Sequence, residues 1–267
     1  MNNKIFYTIE NPKDIKLIPY GTNFIKIYNF DNKYYNLKNL PTTVTNIYFS
    51  YFNQEITNLP NSITHVSFDN YFDNSVDNLS ISLTHIIFGN SFNKLVDNLS
   101  PKILYLKFGE KFNQIVDNLP FSLFYLIFGK SFNKCVDSLP FNIIHITFGK
   151  EFSQSVENLP NSIKFIEFNG HINESTFQVN ITKKYTNSLN FLPNSIEYII
   201  FNNIFYTEQI MKIPLNLKYI KLFHDDPNFD NLLIANTNLS LSVIKNNIKS
   251  YKNFNKISKY EFTWKIN

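Results

Sequence analysis

The chain has 267 residues, 43% of them hydrophobic, which is enough to bury a core in one large domain or two small ones. Its 25 basic residues are all lysines and are scattered among 21 acidic ones, so bidentate arginine contacts to phosphate or guanine are excluded and no nucleic-acid partner is expected. The single cysteine, Cys135, excludes an internal disulfide and a zinc site of clustered thiolates.

The N-terminal residues 1–39 contain no apolar run of signal-peptide length. No stretch of the chain reaches the roughly 18 apolar residues that a membrane span needs, so no membrane contact is expected. A degenerate copy of the repeat described below begins at Ile18, and residues 1–17 are expected to cap the first strand.

From Leu40 onward the chain repeats one phrase with a period of 20 residues, once shortened to 19. The full copies begin at Leu40, Leu59, Leu79, Leu99, Leu119, Leu139 and Leu159, and degenerate copies begin at Leu192 and Ile213. A fixed period in this range is typical of a solenoid. Positions within a copy are numbered here from that first residue.

Positions 5, 8 and 10 are apolar in all seven full copies, and positions 14 and 18 are apolar in the first six; in the copy that begins at Leu119 these residues are Leu123, Leu126, Phe128, Phe132 and Val136. Around positions 7 to 10 apolar and variable residues alternate, which indicates a short strand with one buried side. The remainder is rich in Gly, Asn, Asp and Pro, which suits turns. The strands should therefore stack into one parallel sheet, with the return path of each coil as the opposite wall.

The phrase FNQIVDNLPFSLFYLIFG, from Phe112 to Gly129, resembles the FNIP repeat, a short relative of the leucine-rich repeat that occurs in proteins of social amoebae and of large amoeba-infecting viruses. The resemblance covers residues 40–168 closely and 189–222 weakly. It implies a mainly β, leucine-rich-repeat-like solenoid of about 20-residue coils, with a parallel sheet on one face and little helix. It also implies a curved surface that binds other proteins.

Three regions are predicted. Residues 1–39 form an N-terminal cap with a degenerate repeat, residues 40–223 form the solenoid, with an insertion near 172–191, and residues 224–267 form a C-terminal cap.

Positions 7 and 9 flank the inward residues of the strand and should project into solvent as two columns. Column 7 is almost wholly aromatic or histidine: Asn46, His65, His85, Tyr105, Tyr125, His145, Phe165, Tyr198 and Tyr219. Such rings are common at protein interfaces. The predicted protein-binding residues are His85, Tyr105, Lys107, Tyr125, Ile127, His145 and Phe165. The alternative, left open here, is that the rings only stabilise the sheet by stacking.

Other columns favour structural roles. The acidic column 19 (Asp77, Asp97, Asp117, Asp137, Glu157) should be solvated or accept turn N–H groups, with calcium binding as the sharper alternative. The amide columns 15 and 20 should bond to the backbone of the next coil. Gly89, Gly109, Gly129 and Gly149 end the strands where a positive φ is expected. His65 and His85 are neighbours but have no third ligand beside them, so no metal is predicted.

No nucleotide-binding, nucleophile-elbow or metalloprotease motif is present, so no enzyme activity, catalytic residue or cofactor is predicted. The sequence favours a non-enzymatic scaffold for an unidentified protein partner. The alternative is a substrate-recognition adaptor for ubiquitin ligase machinery, because some proteins with FNIP repeats carry an F-box; none is visible in residues 1–39. An intracellular, cytoplasmic location is expected, in the host cytoplasm if the protein is viral.

Overall fold

The computed structural model describes residues 6–31, 33–169, 184–185, 187–202, 205–206 and 214–221. These residues contain two short 3₁₀ helices, Pro12–Leu17 and Leu37–Asn39. The strands are β1 Phe6–Ile9, β2 Phe24–Tyr28, β3 Asn46–Ser50, β4 His65–Phe68, β5 His85–Ile87, β6 Tyr105–Lys107, β7 Tyr125–Ile127, β8 His145–Phe148, β9 Phe165–Asn169, β10 Lys184–Tyr185, β11 Tyr198–Asn202, β12 Phe205–Tyr206 and β13 Tyr219–Lys221. The predicted C-terminal cap, 224–267, and residues 172–183 of the predicted insertion lie outside the described residues.

Eleven of the strands form one parallel sheet in the order β1-β2-β3-β4-β5-β6-β7-β8-β9-β11-β13. Each strand pairs in phase with the next, so that His65 lies opposite His85 and Tyr105 lies opposite Tyr125. Equivalent positions of successive coils therefore form straight columns across the sheet. The predicted fold class, a mainly β solenoid with a parallel sheet on one face and almost no helix, is confirmed.

The N-terminal residues add a strand that the repeat pattern does not show. β1 pairs with β2, with Phe6 opposite Phe24 and Ile9 opposite Ile27. The Asn11 side chain then accepts a hydrogen bond from the Lys13 N–H and caps the first 3₁₀ helix. The edge of β2 is therefore covered by an additional strand of the sheet, β1, which the first 3₁₀ helix follows.

Two columns of stacked phenylalanines fill the core. At position 10 the ring centroids of successive coils, from Phe49 to Phe168, lie 5.2 to 5.9 Å apart. At position 14 the spacing from Phe72 to Phe152 is 5.9 to 6.2 Å. Rings of the two columns also stack within each coil, as Phe128 and Phe132 do at 3.6 Å. Each coil thus buries its apolar residues mainly against its two neighbours.

Tyr185 continues the second column beyond Phe152. Its ring is buried and stacks on Phe152 at 6.4 Å, and its hydroxyl donates to the Gln154 carbonyl at 3.0 Å. Leu189, four residues later, is buried at the place of the position-18 valines. Tyr185 and residues 187–191, which belong to the predicted insertion, therefore follow the return path of a regular coil.

The glycines after the strands are required for a reason other than the predicted one. Among the described residues the glycine with a positive φ is Gly21, at 82°, and the strand-end glycines lack one. A Cβ added to Gly109 or Gly129 would instead overlap the carbonyl oxygen of the glycine one coil earlier. The prediction of a positive φ is wrong, because the residue type is fixed by the close approach of successive coils.

Side-chain amides join the coils along the return wall. In column 15 the side-chain oxygen of each residue accepts the backbone N–H of its equivalent in the next coil at 2.8 to 2.9 Å, from Asn53 to Ser153. The prediction for column 15 is confirmed. In column 20 it is wrong: the Asn98 and Asn118 amides donate to the carboxylates of Asp77 and Asp97, not to the backbone.

Candidate protein-binding site

The outer face of the sheet carries the predicted site. The residues at positions 8 and 10, such as Leu126 and Phe128, point into the core and are buried. Because side chains alternate along a strand, positions 7 and 9 point outward from the same strand. The in-phase pairing then brings His85, Tyr105, Tyr125, His145 and Phe165 into one line.

Column 7 is a continuous ladder of ring contacts. From His65 to Tyr219 every ring contacts the next, at centroid distances between 4.2 and 6.4 Å. The shortest distance joins His65 and His85, whose rings lie nearly parallel, at 11°. The ring stacking that was the alternative explanation of this column is therefore present.

Exposure varies along this ladder. Tyr125 is 39% exposed, whereas Tyr105, one coil earlier, is only 7% exposed. His85, His145 and Phe165 are half-buried. The expectation that all of column 7 projects into solvent is wrong at Tyr105. The flanking rings of His85 and Tyr125 do not account for this burial alone, because Tyr125 lies between two rings in the same way and is exposed.

Column 9 runs beside the rings and is chemically mixed. Lys107 and Ile127 are half-buried, and the next residue along, Thr147, is buried. At the N-terminal end of the face, columns 7 and 9 line a groove of about 260 Å³. Its walls include His65, Ser67, His85, Ile87, Tyr105 and Lys107. Three of the predicted residues, His85, Tyr105 and Lys107, thus line one concave surface.

The two stacked histidines are held by threonines. Thr64 Oγ1 lies 2.8 Å from His65 Nδ1, and Thr84 Oγ1 lies 2.9 Å from His85 Nδ1. Both hydroxyls already donate to the backbone carbonyl oxygens one coil earlier, those of Thr45 and Thr64. Where the hydroxyl proton is donated to that carbonyl oxygen, the histidine Nδ1–H is the donor to the hydroxyl oxygen.

Burial favours the neutral form of two histidines of the ladder, His85 and His145. It lowers the pKa of His85 below its ordinary value, and it lowers the pKa of His145 to about 4. His145 Nε2 lies 3.2 Å from Thr147 Oγ1. Near neutral pH the face therefore offers imidazole groups as neutral hydrogen-bonding partners, and Lys107 supplies a positive charge beside them.

The face extends further toward the N-terminus than the sequence analysis indicated. Lys26 lies over the rings of Tyr28 and Tyr48, 5.7 Å from each centroid. The in-phase pairing of β2 with β3 places Lys26 beside Tyr48 in column 9. The degenerate copy at Ile18 was the available signal, since its FIKIY segment matches the strand of the full repeats.

Exposed apolar residues that the sequence analysis did not single out lie away from this face. Phe121 and Phe141, at position 3, are exposed, and their ring centroids are 5.6 Å apart. Leu95 and Ile115, at position 17, are exposed too. The available signal was that these positions are polar in neighbouring copies, as at Asn61 and Ser155.

The described residues provide neither a metal site nor a membrane-spanning helix. Within the described ranges, no three residues among the His, Cys, Asp and Glu side chains lie together in a way that could hold a metal ion. None of the helices in the same ranges is long and apolar enough to cross a membrane. The carboxylates of column 19 are exposed, as predicted.

Comparison with known proteins identifies the repeat. The FNIP Repeat family matches residues 32–71 and 132–171. The crystal structure of CroV588, described as a novel circular LRR protein, superposes with a TM-score of 0.62 at 35% sequence identity. The match covers 76% of this chain and 30% of that one, so this chain spans less than a third of the neighbour's length. No curated protein matches the sequence significantly.

The structure describes residues 33–169 without a gap. The two matched stretches lie near the two ends of this range. The in-phase sheet, the two phenylalanine columns and the amide ladder are common to the coils between them. The chain therefore contains FNIP repeats, at residues 32–71 and 132–171, and has a leucine-rich-repeat-like solenoid fold.

Proposed function

We propose that this chain is a non-enzymatic scaffold that binds another protein through the outer face of its sheet. The observation that carries the proposal is the unbroken ladder of rings in column 7, partly exposed on both sides of the buried Tyr105, next to a groove that Lys107 borders. Rings with polar edges provide large contact areas at a small cost in conformational entropy, which is why they are frequent at interfaces.

The centre of the proposed binding surface comprises His85, Tyr105, Lys107, Tyr125 and Ile127. Tyr125 offers the most exposed ring of the ladder, and Lys107 offers a charge that can pair with a carboxylate of the partner. Tyr105 acts mainly by holding the rings on both sides of it in position. His145 and Phe165 extend the same surface by two coils.

The partner would span several coils. Adjacent strands lie about 4.8 Å apart, so the five rings from His85 to Phe165 cover roughly 20 Å. An extended segment of about six residues has this length. A segment with one acidic residue among apolar ones would match the face, because Lys107 lines the groove and Lys26 lies over the ring of Tyr48, another groove residue.

The test compares three tagged forms of the protein in affinity purification from a eukaryotic cell lysate. The first is the wild type, and the second carries Tyr105→Ser and Tyr125→Ser. The third carries Tyr51→Ser and Tyr71→Ser, which is a matched control because these exposed tyrosines also stack, at 4.7 Å, but lie in the turns after the strands. Urea midpoints establish that each variant is folded.

The expected result is a set of proteins that the wild type and the control recover and that the Tyr105/Tyr125 variant loses. If the Tyr105/Tyr125 variant keeps every partner that the wild type binds, the proposal fails. Ubiquitin ligase subunits among the lost proteins would favour the adaptor over the simple scaffold.

A further inference from the structure

The return wall, opposite the sheet, carries exposed apolar residues that the core does not require. Position 17 precedes the buried valines Val96, Val116 and Val136, so its side chain points outward. In three adjacent coils this position holds Leu95, Ile115 and Cys135, all exposed. The equivalent residues on either side, Ser75 and Ser155, are polar. The apolar character is therefore confined to the central coils.

A second apolar column lies at the corner of the same coils. Ile81, Phe121 and Phe141, at position 3, are among the most exposed large hydrophobic residues of the chain. Their equivalents in the flanking coils are Asn61 and Asn161. Single exposed apolar residues are normal, but a contiguous group in one region of a surface indicates a contact with another molecule.

Between these two columns runs the acidic column 19. Asp97 and Asp117 follow Leu95 and Ile115 by two residues, so they point outward beside them, and successive coils place them about 4.8 Å apart. Neutral amides donate to these carboxylates, as Asn118 does to Asp97 at 3.4 Å. In the part of the chain that the structure describes, no lysine forms an ion pair with any of the five acidic residues of this column. No direct ion pair therefore neutralises the carboxylates of the column among the described residues.

We call this surface the return-wall strip; it comprises the apolar residues Leu95, Ile115, Cys135, Ile81, Phe121 and Phe141 and the acidic residues Asp77, Asp97, Asp117, Asp137 and Glu157. We propose that the return-wall strip binds a cationic amphipathic segment of another protein. Lysine or arginine side chains of that segment meet the carboxylates, and its apolar residues cover Leu95 and Ile115 on one side and Phe121 and Phe141 on the other.

The sign of the charge selects this occupant. An anionic membrane surface would also offer apolar contacts, but its headgroups would be repelled by a row of carboxylates. An acidic peptide would be repelled for the same reason. The height of the strip, three or four coils or roughly 15 to 20 Å, matches an amphipathic helix of about ten to thirteen residues.

The test measures binding of a short dye-labelled peptide of leucine and lysine by fluorescence anisotropy, with the leucine and glutamate counterpart as the reversed-charge probe. Asp97→Asn with Asp117→Asn should weaken binding of the lysine peptide by roughly fivefold to tenfold, because two exposed charge pairs are lost while the shape and the acceptor oxygen are kept. Leu95→Ser with Ile115→Ser should weaken it by a similar factor.

The matched control is Glu110→Gln with Glu151→Gln, which changes the net charge by the same amount but lies in the turns after the strands. It should leave the affinity within about twofold of the wild type. The Tyr105→Ser and Tyr125→Ser variant should also bind normally, which separates this proposal from the one for the sheet face. Cys135, the one cysteine of the chain, supplies a second readout: the bound lysine peptide should slow its alkylation.

Three results would each overturn the proposal. The first is that the glutamate peptide binds as tightly as the lysine peptide. The second is that the strip variants do not lower the affinity for the lysine peptide, or that the Glu110/Glu151 control lowers it as much as they do. The third is self-association of the wild type that Asp97→Asn with Asp117→Asn abolishes in analytical ultracentrifugation, since the occupant would then be a second copy of this chain.

Discussion

His145 is a half-buried titratable ring in the middle of the sheet face. It lies between Tyr125 and Phe165, with ring centroids 6.0 and 5.8 Å away. Burial lowers its pKa from 6.5 to about 4, because the charged imidazolium would lose its hydration there. The folded chain therefore binds this proton less readily than the unfolded chain does, and its contribution to stability is complete above pH 6.5 and is lost as the pH falls toward 4.

We expect His145→Phe to remove this part of the pH dependence. Phenylalanine occupies the same column at Phe165, so the variant keeps the ring contacts. Between pH 7.5 and pH 5 the wild type should lose about 2 kcal/mol more of its unfolding free energy than the variant does. Urea denaturation at the two pH values measures this difference. Equal losses in both proteins would show that the pKa of His145 is the same in the folded and unfolded states.

Residues of the same type in the same column differ in ways that the sequence could not predict. Tyr105 and Tyr125 share position 7, yet one is buried and the other is exposed. Exposure depends on how far the neighbouring side chains cover each ring, which the period of the repeat does not encode. The strand-end glycines illustrate the same limit: the pattern predicts where they are required, but the reason is a close approach between coils that only coordinates reveal.

At the scale of the structural element, the amide ladder of column 15 joins the return paths that lack regular strand pairing. Asn113 is a typical member: its N–H donates to Asn93 Oδ1, and its own Oδ1 accepts the Asn133 N–H, both at 2.9 Å. Gln114 adds a bond to the Asn93 carbonyl oxygen at 3.0 Å. The ladder thus satisfies backbone groups that would otherwise be unpaired.

Asn113→Ala should lower the unfolding free energy by about 1 to 3 kcal/mol, because it leaves the Asn133 N–H without its acceptor. Asn113→Asp should stay within about 0.5 kcal/mol of the wild type, since Asp73 fills the same position and accepts the Asn93 N–H at 2.8 Å. Denaturation in urea measures both changes.

Asn118→Ala is the control for this prediction, because Asn118 is exposed and its amide bonds to a carboxylate, Asp97, rather than to the backbone. Its effect should be within about 0.5 kcal/mol. A loss for Asn118→Ala as large as that for Asn113→Ala would contradict the difference in role between columns 15 and 20.

The break in the repeat after Asn169 shows what periodicity misses at this scale. The sequence analysis assigned residues 172–191 to an insertion because the spacing fails there. In the structure, Tyr185 takes the place of a position-14 phenylalanine, and Asn187 donates to the Ser153 carbonyl oxygen at 2.6 Å. A search with a fixed period of 20 residues does not find this coil, because the residue is a tyrosine and its distance from Phe152 in the sequence is not 20. The ring stacking in the structure does reveal it.

At the scale of the whole molecule, the repeat divides the surface into two walls with different chemistry. The sheet face offers rings and positive charge around Lys107, and the return wall offers apolar residues beside carboxylates such as Asp117. The core positions could be predicted from the sequence because they repeat. The surfaces follow from the positions that vary, and their grouping in the central coils becomes visible only when the coils are stacked in register.

The stacked architecture also determines how a core mutation acts. Phe128 is buried and contacts Phe108 and Phe148 in the adjacent coils, at 5.7 and 5.9 Å, as well as Phe132 in its own coil. Since each coil is stabilised by its neighbours rather than alone, Phe128→Ala should weaken two interfaces at once. We expect a loss of about 3 to 5 kcal/mol in unfolding free energy, measured by urea denaturation, against a change within about 0.5 kcal/mol for the exposed Lys130→Ala. A Phe128→Ala loss no larger than that of Lys130→Ala would mean that the phenylalanine columns do not couple the coils.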